Sequence, residues 1–288
     1  MRTRSAFRNW VEYAAIRCIL AAISIAPPLA KVFLKLLNRA VPKLRRVALR
    51  NLEITGLPQR HAGEMLSSFA RMMVVFTQFP SINKQNVNQW IRYEGFDHFE
   101  QALEQGKGVL FATAHLGNWE LSAFAHALMA KPMYFVVRPL DNPLLDAFVQ
   151  KRRTGSGNMI LGKRDFMRGI LRALAANQAV GVLVDQNVGL DEGIFVDFFG
   201  HKACVSPTFA KIAARTGAAV IPGFAVWSNE ERKYILRFYP AVTISGDPAI
   251  DTQRIQTAVE NAIRSYPDQW LWIHRRWKTR PPGEPPLY

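Results

Sequence analysis

The stretch Val109-Leu-Phe-Ala-Thr-Ala-His115-Leu-Gly-Asn-Trp-Glu120 is the most informative part of the chain, since an apolar run ends directly on a histidine. Its first five residues have the composition of a buried strand. Residues five apart on a helix differ by roughly 140° of rotation, so His115 and Glu120 can meet only if the chain turns between them. Gly117 permits such a turn, and Asn118 is a favoured helix N-cap. The stretch therefore predicts a strand, a loop with the histidine and a helix with the glutamate.

A histidine beside a carboxylate suggests acid–base chemistry. A neutral imidazole oriented by an acid is an effective general base, because the acid fixes the tautomer and stabilises the imidazolium. Such a base contributes about 10²–10⁴-fold to a rate. The alternative is a histidine hydrogen-bonded to backbone at a strand end, with Glu120 as a charge that favours the first helical turn. His115 and Glu120 alone leave both interpretations open.

Apolar runs alternate with amphipathic segments along the rest of the chain. Strands are predicted at residues 109–113, 133–137, 180–184, 219–226 and 234–239. Helices are predicted at residues 60–78, 119–130, 144–153, 166–176, 207–216 and 252–266. This alternation predicts an α/β fold with a mixed, mainly parallel sheet and helices on both faces.

The amino-terminal region is apolar but interrupted. Residues 10–26 contain Glu12 and Arg17, and Pro27 and Pro28 end the run. A clear membrane-spanning helix needs about 18 or more largely uncharged residues. A secretory signal would have an uninterrupted apolar core and a small-residue cleavage site. Residues 10–26 therefore match neither a membrane-spanning helix nor a secretory signal well.

The next segment is amphipathic. In residues 29–38, Lys31 and Lys35 lie four apart and apolar side chains fall on the opposite side. A helix with an apolar face and a basic flank is typical of attachment to an anionic bilayer, and core packing with solvated lysines is the alternative. We favour interfacial attachment over a full span. We assign residues 1–50 to a membrane-associating helical segment and residues 51–288 to the α/β domain.

Charge and cysteine content narrow the functional classes. The 288 residues include 37 Lys and Arg against 22 Asp and Glu, a formal net charge of +15. Such a surface attracts phosphates, anionic lipid or an acidic carrier protein. No zinc-finger, RNP-like or helix-turn-helix pattern is present, so we predict no nucleic-acid partner. Cys18 and Cys204 show no metal-ligand spacing, and we predict neither a metal nor a cofactor.

Several blocks resemble one enzyme family. His115-Leu-Gly-Asn-Trp-Glu120 resembles the H-x4-D/E motif of the lysophospholipid acyltransferase superfamily, in the form found in the late (lauroyl and myristoyl) acyltransferases of lipid A biosynthesis. Further blocks resemble that branch in the same order. They are Val137-Arg-Pro-Leu-Asp-Asn-Pro-Leu-Leu145, Val184-Asp-Gln186, Phe198-Phe-Gly200, Arg215-Thr-Gly-Ala218 with Ile221-Pro222, and Tyr266 to Pro281.

The resemblance implies a membrane-associated O-acyltransferase. A fatty acyl group would pass from a thioester of acyl carrier protein or coenzyme A to a hydroxyl of a lipid acceptor. A lipid A precursor is the expected acceptor, and another bacterial glycolipid or phospholipid is the alternative. His115 would be the general base and Glu120 its orienting partner, at the cytoplasmic face of the cell inner membrane. A non-catalytic lipid-binding or carrier-binding protein and an acyl-thioester hydrolase remain alternatives.

Two arginines are candidates for substrate binding. Arg138 follows a predicted strand, and the resemblance suggests contact with an acceptor phosphate or the developing oxyanion. A structural ion pair is the alternative. Arg153 ends a predicted helix, where similar enzymes place a working arginine, although a cation there also satisfies the helix dipole. Arg152 is the competing choice.

Three other residues are assigned to substrate binding. Asp185 and Gln186 end a buried strand, where α/β enzymes collect functional groups, and a simple turn cap is the alternative. Asn118 belongs to the same motif as the histidine. The Phe198–Gly200 block is expected to line an acyl groove or to pack in the core.

Three basic or proline-rich segments complete the predictions. Arg164, Arg168 and Arg172 form a stripe that is either a solvated helix face or a docking surface for an acidic carrier protein. Residues 274–280 alternate cations with an aromatic side chain, which fits a lipid headgroup surface. Residues 281–286 are expected to be extended and loosely held.

Overall fold

In the computed structural model, which describes residues 5–162 and 166–288, four helices precede alternating strands and helices. The helices are α1 (Ala6–Ile25), α2 (Pro28–Ala40), α3 (Pro42–Thr55), α4 (His61–Gln78), α5 (Asp97–Glu104), α6 (Trp119–Met129), α7 (Pro143–Thr154), α8 (Phe166–Ala175), α9 (Thr208–Thr216) and α10 (Pro248–Ser265). The strands are β1 (Ile91–Glu94), β2 (Val109–Thr113), β3 (Tyr134–Val136), β4 (Met159–Leu161), β5 (Ala179–Leu183), β6 (Ile194–Phe198), β7 (His201–Val205), β8 (Ala219–Ser228) and β9 (Lys233–Phe238).

A seven-stranded sheet with the order β1-β9-β8-β2-β5-β3-β4 forms the centre. Within the described residues, β8 and β9 are the one antiparallel pair of this sheet, and its other neighbours are parallel. The predicted mixed, mainly parallel sheet is therefore confirmed. Strand β2 lies between β5 and β8, so the carboxyl ends of these three parallel strands meet at one edge, where open α/β sheets place their ligand sites.

Helices cover both faces of the sheet, as predicted. Side chains alternate between the faces of β2. Phe111 packs with Leu121 and Phe124 of α6 in one core cluster. Leu110 packs with Ile170 of α8 in another, which also contains residues of α9 and α10. The central strand is therefore buried on both sides.

The sequence predictions missed helix α5 and strands β1, β4, β6 and β7. Strands β1 and β4 have four and three residues, too few to show a period. Strands β6 and β7 form a separate antiparallel hairpin. Its two turn residues, Phe199 and Gly200, have φ values of +54° and +73°. A bulky aromatic residue is uncommon in a left-handed turn, so the local sequence gave little sign of the hairpin.

The first two helices pack on α4 and leave an apolar surface uncovered. Ile23, Ala30, Leu34 and Ala70 form a small buried cluster between them. In the described part of the chain, fourteen large hydrophobic residues are strongly exposed, and ten of these lie within residues 7–41. None of the described helices combines the length and hydrophobicity that a bilayer crossing requires. Residue 50 lies inside α3, and the division of the chain there stays a prediction.

The last two residues of the chain are anchored, beyond the segment 281–286 that was expected to be loosely held. Residues 282–286 are exposed, but the last two residues return to α3. Arg50 Nε donates to the Leu287 carbonyl oxygen at 2.7 Å, and the Tyr288 hydroxyl donates to Asn51 Oδ1. This end of the chain therefore helps to fix α3 against the core.

Candidate active site

The predicted strand, loop and helix are present around His115. Strand β2 ends at Thr113, and α6 begins at Trp119 with Asn118 as its N-cap. The Asn118 side chain accepts a hydrogen bond from the Leu121 amide at 2.9 Å. Gly117 has φ +66°, and an added Cβ would collide with the Ala225 carbonyl oxygen. The loop geometry therefore requires glycine, both for its backbone angles and for this close approach.

Asp185, not Glu120, holds the His115 ring. His115 Nδ1–H donates to Asp185 Oδ1 at 2.9 Å, and the His115 backbone amide donates to Oδ2 at 2.9 Å. The Trp270 indole N–H also donates to Oδ2, at 2.9 Å. These three donors fix the carboxylate, and the carboxylate fixes the histidine tautomer with the proton on Nδ1. Nε2 is left as the nitrogen that can take up a proton.

The electrostatics of the pair follow from this geometry. Burial lowers the pKa of His115, but the charge and the hydrogen bond of Asp185 raise it, and with the charge of Glu120 they bring the net pKa above the ordinary value. Glu120 adds a smaller upward contribution, and Arg153 opposes it. For Asp185, burial raises the pKa, yet the His115 ring and the three donated hydrogen bonds bring it down to about 2. Asp185 is therefore ionised at neutral pH.

Glu120 pairs with Arg153, which corrects the predicted orienting role. Arg153 Nε donates to Glu120 Oε2 at 2.8 Å, and Nη2 donates to Oε1 at 2.5 Å. The two side chains are only 12% and 24% exposed. The reason is helix packing: the first turn of α6 faces the last turn of α7, so the glutamate meets a guanidinium instead of the imidazole.

An apolar cavity begins beside this pair and runs into the core. Trp119, Glu120 and Arg153 line one part of it, and Trp119 also contacts the His115 ring edge-on at 5.0 Å between centroids. The deeper walls come from α6 and from strands β2, β3, β5, β8 and β9. They include Phe111, Phe124, His126, Met133, Phe135, Gly181, Gly223, Leu236 and Phe238.

His126 is a neutral residue of the cavity wall. Its Nδ1 is 3.0 Å from the Tyr93 hydroxyl, and its Nε2 is buried without a hydrogen-bond partner in the described structure. Burial lowers the pKa of His126 to about 4. At neutral pH the ring is uncharged, so the cavity carries no charge at this depth.

Asn118 and Asp185 do not have the substrate contacts that we predicted. Asn118 is fully buried and caps α6, so its side chain is not presented to a ligand. Both oxygens of Asp185 are occupied by His115 and Trp270, and the residue is 3% exposed. Gln186 is exposed next to Asp185, and its role stays a prediction.

Arg138 does not line the apolar cavity, although the preceding Val137 does. Its side chain is 82% exposed and lies 3.9 Å from Asp141, and its contact with the acceptor stays a prediction. Arg152, the competitor of Arg153, packs over the Phe148 ring and reaches the Thr77 carbonyl oxygen at 3.3 Å. Arg153 is therefore the arginine that the fold places at the cavity.

The aromatic side chains of the Phe198–Gly200 and Tyr266–Pro281 blocks pack in the core. Phe198 and Phe199 lie with Trp270 and Trp277 in one core cluster and do not line the apolar cavity, so of the two predicted roles core packing is the one observed. Arg276 is fully buried, donates to Cys204 O and Gln256 Oε1, and has a pKa lowered by burial to about 10. Arg276 and Trp277 are therefore not available to a headgroup, whereas Arg275 and Lys278 are exposed, and a headgroup surface formed by these two cations stays a prediction.

Two residues outside the sequence predictions support the loop. Trp270 orients Asp185, and the Gln269 side chain exchanges two hydrogen bonds with the Trp227 backbone. Both belong to the Tyr266–Pro281 block that resembles the acyltransferase family. That resemblance was the one sign in the sequence that these two residues matter for the site. Arg164 of the predicted basic stripe lies outside the described residues, and Arg168 and Arg172 are exposed.

The free thiols and metal-binding side chains offer no second centre. Cys18 is exposed and Cys204 is buried. In the described ranges, no three His, Cys, Asp or Glu side chains are grouped so that they could hold a metal ion.

The α/β fold thus places a histidine held by a carboxylate after its central strand, next to an apolar cavity, an arrangement suited to acid–base chemistry on a substrate with an apolar part. The family described as bacterial lipid A biosynthesis acyltransferase matches residues 2–279, and the chain belongs to this family. The resemblance seen in the sequence is thus confirmed, and the protein is an enzyme that transfers acyl groups.

Curated relatives cover most of the chain. It is 30% identical over 263 residues to the lipid A biosynthesis palmitoleoyltransferase of Escherichia coli K12, which covers 86% of this chain and 84% of that protein. It is 26% identical over 308 residues to the lauroyltransferase of the same organism, covering 98% and 95%. It is 25% identical over 217 residues to a phosphatidylinositol mannoside acyltransferase of Mycolicibacterium smegmatis, covering 74% and 70%.

Proposed function

We propose that the protein moves a fatty acyl chain from a thioester donor to a hydroxyl of a lipid A precursor, with His115 as the general base. The observation that carries this proposal is the His115–Asp185 pair beside an apolar cavity, in a member of the lipid A acyltransferase family. Each part of the site has a distinct task in this reaction.

His115 activates the acceptor. Because Nδ1–H is held by Asp185, Nε2 removes the proton from the acceptor hydroxyl. The oxygen attacks the thioester carbon, and the tetrahedral intermediate collapses with loss of the thiolate. The imidazolium then returns its proton to the sulfur. Asp185 stabilises the imidazolium while it exists, which lowers the barrier to the first proton transfer.

Arg153 is placed to stabilise negative charge. Its Nε and Nη2 are bound by Glu120, which leaves Nη1 without a hydrogen bond among the described residues. A guanidinium fixed in this way binds an oxyanion without having to reorganise during the reaction. Glu120 is accordingly a positioning residue for Arg153 and a secondary negative charge near the base.

The apolar cavity is suited to part of the acyl chain. Its volume is about 90 Å³, and its deep walls are mainly aromatic and aliphatic, with glycines at Gly181 and Gly223 where a side chain would occupy space. Burying each methylene contributes about 0.8 kcal/mol, so the part of the chain that enters the cavity is bound favourably.

The net charge of the protein suggests the donor, and its sequence relatives suggest the acceptor. A net charge of +15 suits an acidic acyl carrier protein, and coenzyme A, which carries phosphates, is the alternative donor. A lipid A precursor is the first acceptor because most of the relatives bear that name. The similarity to a phosphatidylinositol mannoside acyltransferase makes another glycolipid the second candidate.

Helices α1 and α2 are proposed to attach the enzyme to the membrane surface. Their packed side faces α4, and their other side carries the exposed hydrophobic residues together with Lys31 and Lys35. An apolar face flanked by lysines binds an anionic interface without spanning it. We place this attachment at the cytoplasmic face of the inner membrane.

Acyl transfer by purified protein tests the function. Acyl carrier protein and coenzyme A thioesters are each offered with a lipid A precursor, with phosphatidylinositol mannoside or with no acceptor, and products are identified by mass spectrometry. We expect acylated lipid A precursor with wild type and none with His115→Ala. Thioester loss without an acceptor would instead indicate a hydrolase, and no thioester consumption at all would indicate a binding protein.

A further inference from the structure

A second cavity, of about 690 Å³, lies between α2, α4 and the β8–β9 hairpin. It is separate from the apolar cavity and shares no lining residue with it. Its walls combine three cations, Lys31, Arg71 and Arg232, with aromatic side chains. No acidic side chain lines it within the described residues.

Two acids near these cations form no close ion pair with Arg71 or Arg232 in the described structure. Glu231 precedes Arg232 but forms a bidentate ion pair with Arg92. Arg92 Nη2 donates to Glu231 Oε1 at 2.6 Å, and Arg92 Nε donates to Oε2 at 2.8 Å. Asp268 interacts electrostatically with Arg71 from outside the cavity, and burial raises the pKa of this carboxyl. Neither carboxylate forms an ion pair within 4.0 Å of Arg71 or Arg232 in the described structure. The cavity is therefore strongly electropositive.

Arg71 places a buried, unpaired polar atom in the walls. Its Nε has no hydrogen-bond partner among the described residues, whereas the Tyr234 hydroxyl, in a residue only 1% exposed, interacts with the Arg71 and Asn118 side chains. The Arg71 guanidinium lies over the Trp227 ring at 5.2 Å, which holds the cation in place. Since buried polar groups normally have partners, the unpaired Arg71 Nε–H beside a cationic cavity indicates a ligand that supplies a hydrogen-bond acceptor.

The position of the cavity relates it to both the membrane surface and the catalytic loop. Pro27 and Lys31 connect it to α2, whose outer side carries exposed hydrophobic residues. On the other side, Trp227 is hydrogen-bonded through Gln269 to the loop, because the Gly117 amide donates to the Gln269 carbonyl oxygen at 3.0 Å. A ligand in this cavity would approach from the bilayer and lie behind the His115 loop.

We propose that this cavity binds the phosphate group of a membrane lipid, with Arg71 as the anchor and Lys31 and Arg232 as flanking cations. A guanidinium suits a phosphate because its planar donors match the phosphate oxygens, and the lysine adds a flexible charge. Trp90 and Trp227 provide flat surfaces for the sugar or glycerol to which the phosphate is attached. The phosphate could belong to the acceptor itself or to a neighbouring bilayer lipid, and binding does not depend on the proposed reaction.

Binding of dihexanoyl phosphatidic acid, followed by tryptophan fluorescence and calorimetry, tests the site. Inorganic phosphate is the second probe. We expect Arg71→Gln to weaken binding of the lipid about tenfold or more, as loss of a charged hydrogen bond implies. Because Arg71 also supports Trp227, the double variant Lys31→Gln/Arg232→Gln, with both changes at exposed positions, provides a second measurement.

Lys84→Gln/Lys107→Gln removes the same charge from exposed positions outside the cavity and is the matched control. Unchanged binding of phosphatidic acid by both cavity variants, or equal weakening by the control, would refute the site. Inorganic phosphate bound as tightly as the lipid would also refute a lipid site.

Two further measurements decide whether the phosphate belongs to the acceptor or to a bilayer lipid. If the acceptor supplies it, the cavity variants raise KM for the phosphorylated acceptor and leave KM for its dephosphorylated form unchanged. If a bilayer lipid supplies it, the variants lose binding to phosphatidic acid vesicles while KM in detergent stays constant. Both results support the proposal, and failure of acyl transfer in all proteins would leave the binding measurements valid.

Discussion

Asp185 accepts hydrogen bonds from both the Nδ1–H and the backbone amide of His115, although 70 positions separate the two residues. Strand pairing explains this contact. In the β2–β5 ladder Thr113 lies opposite Leu183, so two residues further on His115 lies opposite Asp185. The sheet register therefore determines which acid serves the base.

The first expectation concerns Asp185→Asn. A raised pKa keeps His115 protonated to higher pH, so wild-type kcat/KM should rise as pH passes through that raised pKa. In Asp185→Asn, the His115 ring loses the negative charge that raises its pKa, while burial still lowers that pKa. The rising, acid side of the pH profile of kcat/KM (the acid limb) should therefore move to lower pH. The maximum value of kcat/KM should fall about 10²–10⁴-fold, because the His115 ring is no longer held in place. The pH dependence of kcat/KM measures both effects, with Asp191→Asn, at an exposed position, as the control.

The Glu120–Arg153 pair should behave differently. Glu120→Gln leaves a poorly exposed guanidinium without its partner, so we expect kcat to fall and the acid limb to move far less than in Asp185→Asn. A double-mutant cycle with Arg153→Gln should give a coupling free energy of about 1.5–3 kcal/mol, typical of hydrogen bonds to charged groups. Additive losses would contradict the positioning role, and a large shift of the acid limb would restore Glu120 as the partner of His115.

Gly117→Ala should disrupt the catalytic loop. Alanine at φ +66° is strained, and its Cβ would collide with the Ala225 carbonyl oxygen. Gly106→Ala is a close control, since Gly106 has φ +72° but open space around an added Cβ. Chemical denaturation should show a loss of about 1–2 kcal/mol for the control and more for Gly117→Ala. Equal losses would show that the contact with Ala225 is unimportant.

Filling the apolar cavity should change acyl selectivity. An added Cβ on Gly223 would make ordinary contact with Phe111, at 3.5 Å, so Gly223→Val should fold and shorten the space for the chain. At about 0.8 kcal/mol per methylene, exclusion of two methylenes corresponds to about a 15-fold loss in kcat/KM for long donors. Competition between donors of different length, read by mass spectrometry, gives the ratio. Transfer from short donors should persist, and unchanged selectivity would place the chain elsewhere.

The exposed apolar surface of α1 and α2 should control vesicle binding. Trp10 is 61% exposed and Ile25 is 86% exposed. Burial of one large apolar side chain contributes about 1.5–3 kcal/mol, so Trp10→Ser/Ile25→Ser should weaken sedimentation with anionic vesicles at least tenfold. Leu190→Ser/Ile250→Ser removes exposed hydrophobic residues from elsewhere and should leave binding unchanged. Equal effects of the two double variants would contradict membrane attachment through these helices.

Much of the fold could be predicted from local sequence patterns. The apolar run before His115, the glycine at Gly117 and the cap at Asn118 are short-range signals, and each acts as predicted. The longer strands and helices were also found, since their periods extend over enough residues. The β6–β7 hairpin was missed because Phe199 occupies a left-handed turn position that its residue type does not indicate.

The partners in the site could not be read from local spacing. Glu120 is five residues from His115, but its place in the first turn of α6 directs it to Arg153, whereas parallel pairing of β2 with β5 delivers Asp185. The sequence alone thus determined the strand–loop–helix unit and its histidine, because those depend on neighbouring residues. Only the tertiary structure decided which acid holds the ring, because that contact depends on the register of strands far apart in the chain.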